Sequence, residues 1–197
     1  ETGREQSPVD LVWKKPKQSR KISFDYAPSK LAVINNGHGL QLNFAPGSKA
    51  VIQGESYDLL QLHLHSPSEH TLSGNAMPLE GHLVHKRASG NLAVVGVFVI
   101  EGKLAHKGLS KIIKNIPSEK HKLYTSDSVM VSANEFLPSR FTHYHYSGSL
   151  TTPPCSEVVE WLLVKDPLKV NKDQIKLFTQ LWGDNEDFAK GNGSNRK

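Results

Sequence analysis

The segment LQLHLHSPSEH (residues 60–70) alternates leucines with polar residues along its first half. A period of two is typical of a β-strand, in which successive side chains point to opposite faces of the sheet. The leucines therefore share one face, and Gln61, His63 and His65 share the other. Two histidines at this spacing can bind one metal ion between them. Such a pair alone is a weak signal, because a polar strand face exposed to solvent also explains it.

The remainder of the 197-residue chain predicts a mainly β fold. Frequent turn signals, such as Asn35-Asn36-Gly37, separate short segments rich in β-forming residues, namely 31–34, 40–44, 50–52, 59–65, 80–86, 92–100, 141–146 and 158–165. Helices are predicted over residues 103–116, which Pro117 ends, and over 171–182, where Asn171 is the candidate N-cap. We expect a single domain over residues 1–197. It should contain a large twisted, mostly antiparallel central sheet, a few short peripheral helices and a flexible tail at residues 190–197.

Composition argues against several classes of function. The net charge is +5, but the lysines are scattered and do not interleave with aromatic residues, so we expect a solvated surface and no nucleic-acid site. The longest apolar run, residues 92–100, is too short to span a bilayer, so no membrane insertion is expected. Cys155 is the only cysteine, which excludes an internal disulfide and the cysteine-rich zinc patterns. A metal site would have to use His, Asp or Glu.

A second strand-like segment, EGHLVHK (residues 80–86), supplies a third histidine on the same strand face as Glu80. If this strand pairs with residues 59–65, His82 lies beside His63 and His65. Three neutral imidazoles leave the fourth tetrahedral position of zinc open, which is the arrangement of catalytic sites. Gln61 and Glu80 each precede a candidate ligand by two residues. They are therefore candidate acceptors for the second ring nitrogen of that ligand.

The other histidines fit this pattern less well. His143 and His145 form a second H-x-H pair, but no third histidine is evident on a neighbouring strand. We interpret this pair as structural or surface histidines. His106 and His121 lie in lysine-rich polar segments, and we interpret them as solvated.

Five motifs together resemble the α-class carbonic anhydrases, in particular the bacterial type. They are QSPVD (6–10), NNGH (35–38), QLHLHSPSEH (61–70), EGHLVH (80–85) and GSLTTPP (148–154), in the family's order and spacing along nearly the whole chain. The resemblance implies a lyase, carbonate dehydratase, that reversibly hydrates carbon dioxide to bicarbonate and a proton. It also implies one zinc ion per chain, inhibition by sulfonamides, and a periplasmic or extracellular location.

The resemblance also assigns roles to individual residues. The zinc ligands would be His63, His65 and His82, with Gln61 and Glu80 as their outer partners. Thr151 would accept a hydrogen bond from zinc-bound hydroxide and donate its own proton to Glu69, while His38 would export the proton. The apolar wall that holds carbon dioxide would comprise Val84, Val94, Leu150, Val159 and Trp161, with Thr152 at the mouth of the site. His70 matches a histidine with a structural role.

The chain departs from the family at both ends, and we interpret it as a trimmed domain. In bacterial-type relatives, the cysteine at the position of Cys155 forms a disulfide with a second cysteine. That second cysteine lies upstream of the first residue of this chain. A reactive thiol, a link between two chains of a homodimer, and a buried inert thiol are therefore alternatives. Two other functions also stay open, a non-catalytic binding or scaffold domain on the same fold and a zinc esterase. Non-catalytic relatives typically lose zinc-site histidines, and this chain keeps all three.

Overall fold

The fold is built mainly from strands. The computed structural model describes residues 3–12, 20–37, 39–117 and 119–183, so the predicted tail at 190–197 lies outside the described residues. Within these ranges the strands are β1 (Asp10–Leu11), β2 (Ile22–Asp25), β3 (Ser29–Asn35), β4 (Leu40–Asn43), β5 (Lys49–Ile52), β6 (Glu55–His65), β7 (Thr71–Leu72), β8 (Asn75–Ala76), β9 (Leu79–Lys86), β10 (Leu92–Gly102), β11 (Leu123–Val131), β12 (His143–Gly148) and β13 (Val159–Asn171). The helices are α1 (Lys107–Ile113) and α2 (Lys172–Gly183), and residues Ala133–Phe136 form a 3-10 turn.

Ten of the described strands form one large mixed sheet. Eight follow the order β11-β3-β4-β6-β9-β10-β13-β12, while β5 pairs with the first residues of β6, and β2 pairs with β5. Among the described pairs of this sheet, β10 and β13 are parallel and the others are antiparallel. Strands β1, β7 and β8 form a separate small sheet. The predicted mainly β, mostly antiparallel architecture is confirmed.

The alternating sequence determines which face of the sheet the side chains of residues 61–65 occupy. Leu60 departs from the expectation that the leucines share one face, because a register irregularity between Leu59 and Gln61 buries Leu59 and leaves Leu60 41% exposed. Leu62 and Leu64 of β6 and Leu83 of β9 are buried in the larger core cluster, together with Leu109 of α1. We call this side the leucine face and the opposite side the histidine face. A shift of one residue in the strand pairing would exchange the two faces and expose the leucines. The burial of each leucine stabilises the fold by about 1.5–3 kcal/mol. The core therefore maintains the register that positions His63.

The first helix is shorter than the sequence predicts. Strand β10 continues to Gly102, and His106 has an extended backbone and accepts a hydrogen bond from the Leu109 backbone N at 3.2 Å through its Nδ1. Helix α1 therefore begins at Lys107, and the interpretation of His106 as merely solvated is wrong. The predicted cap of α2 is present, because Asn171 Oδ1 accepts from the Gln174 backbone N at 3.1 Å.

Cys155 is 3% exposed. A thiol that links two chains or reacts with reagents must reach the protein surface. The burial of Cys155 therefore favours the inert-thiol alternative over the other two.

His85 is a fully buried histidine on the leucine face of β9. Its Nε2 lies 2.6 Å from the Tyr26 hydroxyl oxygen, and its Nδ1 lies 3.3 Å from the Ala93 carbonyl oxygen. Because a carbonyl oxygen only accepts, Nδ1 carries the proton and Nε2 accepts from Tyr26. Burial lowers the pKa of His85 from 6.5 to about 4.

We expect His85 to make the fold less stable as the pH falls from about 6.5 towards 4. In this window the unfolded chain protonates His85 and the folded chain does not, so unfolding takes up a proton. The contribution of His85 is complete above pH 6.5, and about 3 kcal/mol of it is lost by pH 4. Urea unfolding of the wild type and of His85→Gln across this range measures the difference. Parallel pH profiles for the two proteins would contradict the assignment.

Candidate metal centre

Three histidines from two neighbouring strands converge on the histidine face. Strands β6 and β9 are antiparallel, and His63 lies directly opposite His82 in their register. His65 follows on the same face of β6, and the potential metal-binding atoms of the three rings all lie within 4.8 Å of one another. His65 and His82 are 5% and 1% exposed. The structure thus brings together the three histidines that the sequence singles out.

Two of the three rings are oriented by acceptors on their own strands. His63 Nδ1 lies 2.8 Å from Gln61 Oε1, and His82 Nε2 lies 2.9 Å from Glu80 Oε1. Each contact occupies one ring nitrogen, which leaves Nε2 of His63 and Nδ1 of His82 available to a metal ion. Gln61 and Glu80 therefore stand where outer partners of the ligands are expected.

Glu80 lies at the centre of a buried hydrogen-bond network. Its Oε1 lies 2.8 Å from His70 Nδ1, and its Oε2 accepts from the His70 backbone N at 2.9 Å. His70 Nε2 lies 2.7 Å from the Tyr146 hydroxyl oxygen, which lies 2.9 Å from Ser7 Oγ. His70, Glu80 and His82 also have the spacing of metal ligands. Because their polar atoms already bind one another, we interpret this second cluster as a support for His82.

The electrostatics differ among the three rings. Burial lowers the pKa of His63 and of His65, and the neighbouring imidazoles add to this effect. Burial alone would also lower the pKa of His82, but the charge and the hydrogen bond of Glu80, together with the charge of Glu69, outweigh it and raise that pKa. A carboxylate that makes an imidazole more basic also makes it a stronger metal donor. The cluster therefore combines two imidazoles whose pKa is lowered with a third imidazole, His82, that is a stronger metal donor.

Thr151 and Glu69 form a hydrogen-bonded pair beside the cluster. The Glu69 side chain is 5% exposed, and its Oε2 lies 3.5 Å from His65 Nε2. Burial raises the pKa of Glu69, while the hydrogen bond with Thr151 acts to lower it. A hydrogen bond that lowers the pKa of a carboxyl group favours its charged form, which can only accept, so the Thr151 hydroxyl is the donor. The lone pairs of the Thr151 oxygen then remain available to a donor in the cavity.

A cavity of about 270 Å³ opens over the three histidines. One side of it is apolar and includes four of the residues predicted for the substrate wall, Val84, Val94, Leu150 and Trp161. Thr151 and Thr152 also line the cavity. Val159 is the exception, since it does not line the cavity and packs in a buried cluster with Val94 and Trp161.

The opposite side of the cavity is polar, and the sequence interpretation missed it. Gln41 lies opposite His63 in the β4–β6 register and lines the cavity with Asn36. Gln41 Oε1 accepts from Asn36 Nδ2 at 3.2 Å, and Gln41 Nε2 donates to Asn43 Oδ1 at 2.7 Å. The signal for this amide chain was present in the sequence, because Gln41 and Asn43 alternate with Leu40 and Leu42.

His38, the predicted proton shuttle, lies outside the described residues. Two residues near it in sequence, Asn36 and Gly39, line the cavity.

The second H-x-H pair, His143 and His145, lies away from the three-histidine cluster. It is on strand β12, which is an edge strand of the large sheet within the described residues. His145 Nε2 lies 3.1 Å from Glu160 Oε1, which also pairs with the Arg20 guanidinium at 2.9 Å. Among the described residues, neither His143 nor His145 belongs to a group of three potential metal ligands. This placement agrees with the interpretation of the pair as structural or surface histidines.

The fold and the site together define a class of protein. It is a mainly β protein with a large mixed sheet, and its candidate metal centre consists of three histidines beneath a cavity that has one apolar side, an arrangement typical of catalytic sites. The chain belongs to the eukaryotic-type carbonic anhydrase family, whose model matches residues 1–195. It is therefore an enzyme of the carbonic anhydrase class, a lyase that acts on carbon dioxide and bicarbonate.

The chain is also similar in sequence and structure to individual carbonic anhydrases. The chain is 35% identical to a carbonic anhydrase of Pectobacterium carotovorum over 183 residues, which are 92% of this chain and 73% of that one. The α-carbonic anhydrase of Photobacterium profundum has a similar structure, with a TM-score of 0.87 at 33% identity over 93% of this chain and 84% of that chain. The α-carbonic anhydrase of Thermovibrio ammonificans, in complex with the inhibitor sulfanilamide, has a TM-score of 0.86 at 34% identity over 92% and 80%.

Over the part of the chain that the structure describes, no helix has the length and apolar character that a membrane span requires.

Proposed function

We propose that the chain binds one zinc ion through His63, His65 and His82 and hydrates carbon dioxide at that site. The observation that carries the proposal is the convergence of one potential ligand atom from each of the three rings, all within 4.8 Å of one another, under an open cavity, with two rings held by acceptors. Three imidazole nitrogens are the ligand set of a catalytic zinc with an open fourth position, so the residues fit the ion. Bound zinc would supply a nucleophile at neutral pH by lowering the pKa of water to about 7, the value known for carbonic anhydrases in general.

Thr151 and Glu69 would aim the attacking oxygen. Because Thr151 donates its proton to Glu69, its own oxygen can only accept a hydrogen bond from a hydroxyl in the cavity. The proton of that hydroxyl then points at Thr151, and a lone pair is left to face the carbon atom of the substrate.

The apolar side of the cavity would hold the substrate. Carbon dioxide carries no net charge, and the side chains of Val84, Val94, Leu150 and Trp161 hold it without competing hydrogen bonds. Bicarbonate is an anion, which loses hydration against such a surface and gains no partner there. The same side chains therefore favour departure of the product.

Proton export is proposed to run through His38. Asn36 and Gly39 line the cavity, and histidine is the side chain whose charge ordinarily changes near neutral pH, so it can accept a proton and release it to buffer. His38→Ala should lower kcat in dilute buffer by about tenfold. This effect is smaller than the 10²–10⁴-fold typical of general acid–base groups, because buffer molecules can enter the open cavity and accept part of the protons directly. The ratio kcat/KM should change little, since export follows the chemical step.

Imidazole buffer provides the control for His38. Added imidazole should restore kcat of His38→Ala and leave the wild type nearly unchanged. Full kcat of the variant in dilute buffer would show that the proton leaves by another route.

The alternative functions gain no support from the site. A scaffold domain has no need of the three histidines, all of which are present and brought together. An esterase would require a carboxylate near the open position as general base, whereas Glu69 accepts a hydrogen bond from Thr151. A periplasmic or extracellular location, a homodimer and the single-domain boundaries stay predictions.

Metal removal tests the proposed function. We expect dialysis against a zinc chelator to abolish stopped-flow hydration of carbon dioxide, and added zinc to restore it in proportion to the metal bound. Sulfanilamide, the inhibitor in the Thermovibrio ammonificans complex, should inhibit the restored enzyme. Full hydration activity in a metal-free sample would refute the proposal.

A further inference from the structure

Two segments far apart in sequence meet at one corner of the molecule. Gly102, at the end of β10, lies opposite Asn171 at the end of β13. The His106 backbone N donates to Gln174 Oε1 at 2.7 Å, and Gln174 Nε2 donates to the His106 carbonyl oxygen at 3.1 Å. Residues 102–107 are therefore held against residues 169–174.

This junction is rich in exposed lysines. Four of them, together with one leucine, form what we call the basic corner: Lys103, Leu104, Lys107, Lys169 and Lys172. Within the described residues, none of the four lysines has a carboxylate at ion-pair distance. Two exposed acidic residues, Glu101 and Asp173, lie in the same segments and leave a local excess of positive charge. Unpaired lysines concentrated in this way attract an anionic surface.

Leu104 has an unusual exposure for its type. It is 80% exposed, more than any other large apolar side chain among the described residues. It lies between Lys103 and Lys107 on a loop that is anchored through His106, so it stands among the charges and not in a separate apolar patch. A single exposed leucine needs no explanation, but a leucine surrounded by unpaired lysines has the composition of a peripheral membrane contact.

We infer that the basic corner is a docking site for an anionic lipid surface. The lysines would lie over the anionic headgroups, and Leu104 would reach the boundary with the acyl chains. A soluble polyanion offers the charges but no apolar layer, so it leaves Leu104 in water. Lipid therefore fits the corner better than a polyanion does. The contact is peripheral and involves no membrane span.

The position of the corner keeps the catalytic cavity accessible. Helix α1, which follows Leu104, packs through Leu109 and Ile112 on the leucine face of the sheet. The three histidines and the cavity lie on the opposite face. An enzyme docked through the corner would therefore still exchange carbon dioxide and bicarbonate with the surrounding water.

Vesicle sedimentation of the intact chain tests the inference. The wild type should bind vesicles of equal parts phosphatidylcholine and phosphatidylglycerol, should not bind phosphatidylcholine alone, and should be released by salt. Each lysine near such a surface strengthens binding about fivefold. Replacing Lys103, Lys107, Lys169 and Lys172 together with Gln should thus weaken binding by at least about 100-fold, and Leu104→Gln by about tenfold.

A matched variant controls for net charge. Lys21, Lys86, Lys114 and Lys120 are exposed lysines elsewhere, and their joint replacement with Gln removes the same charge. This control should bind vesicles like the wild type, and all the variants should keep the wild-type melting temperature and hydration rate. Equal loss of binding in the control and corner variants would overturn the inference. A second pair of results would also overturn it. If Leu104→Gln bound vesicles as tightly as the wild type, and soluble polyglutamate displaced the protein from vesicles, the corner would be a polyanion site.

Discussion

Replacing His82 with Ala should remove most of the bound zinc and nearly all hydration of carbon dioxide. His82 is the ring whose donor strength Glu80 raises, and its loss leaves the two rings on β6 with an incomplete ligand set. The loss of activity should exceed the 10- to 100-fold effect typical of removing an outer partner of a ligand. Zinc content and stopped-flow hydration, measured on one sample, report the two effects separately.

Two further variants make this result specific. Glu80→Gln keeps the three rings and should weaken zinc binding by about 10- to 100-fold, a smaller loss than that of His82→Ala. His143→Ala removes a histidine from the rival H-x-H pair and should retain full zinc content and activity. Full occupancy in His82→Ala, with an empty site in His143→Ala, would mean that the metal centre has been assigned to the wrong histidines.

Replacing Thr151 with Val should leave zinc bound and lower kcat/KM for hydration by about 10- to 150-fold. Valine has nearly the shape of threonine but can neither accept from the attacking hydroxyl nor donate to Glu69. A hydrogen bond to a charged group contributes about 1.5–3 kcal/mol, and each 1.36 kcal/mol is a tenfold change in rate. Stopped-flow kinetics with zinc analysis on the same sample provide the measurement.

The neighbouring threonine is the matched control. Thr152 is exposed and lines the same cavity, but the proposal gives it no part in aiming the hydroxyl. Thr152→Val should therefore lose much less activity than Thr151→Val. Wild-type kinetics in Thr151→Val, or equal losses in the two variants, would reject the orienting role of the Thr151–Glu69 pair.

The local pattern of the sequence predicts the positions of the metal-site residues well. The alternation in residues 59–65 and 80–86 places the histidines on one face, and the assumption that these two segments pair is confirmed by the register between His63 and His82. The catalytic roles of these residues rest on the family resemblance and stay predictions. The polar side of the cavity was missed, although Gln41 obeys the same alternation, because an amide alone suggests no chemistry.

Other features could not be predicted because they depend on contacts between distant parts of the chain. Ser7 and Tyr146, in the network behind Glu80, are 139 residues apart. Strand β11 has two serines and no regular alternation of apolar residues, so it forms through pairing with β3 and not through its own pattern. Helix α1 begins four residues later than expected because β10 extends to Gly102, which pairs with Asn171 on a strand predicted to end at residue 165.

An anomalous difference map from crystals of the zinc-loaded enzyme, collected at the zinc absorption edge, would locate the metal ion. We expect one peak per chain, at about 2.0–2.1 Å from one nitrogen of each of His63, His65 and His82. A peak among His70, Glu80 and His82, or beside His143 and His145, would contradict this expectation.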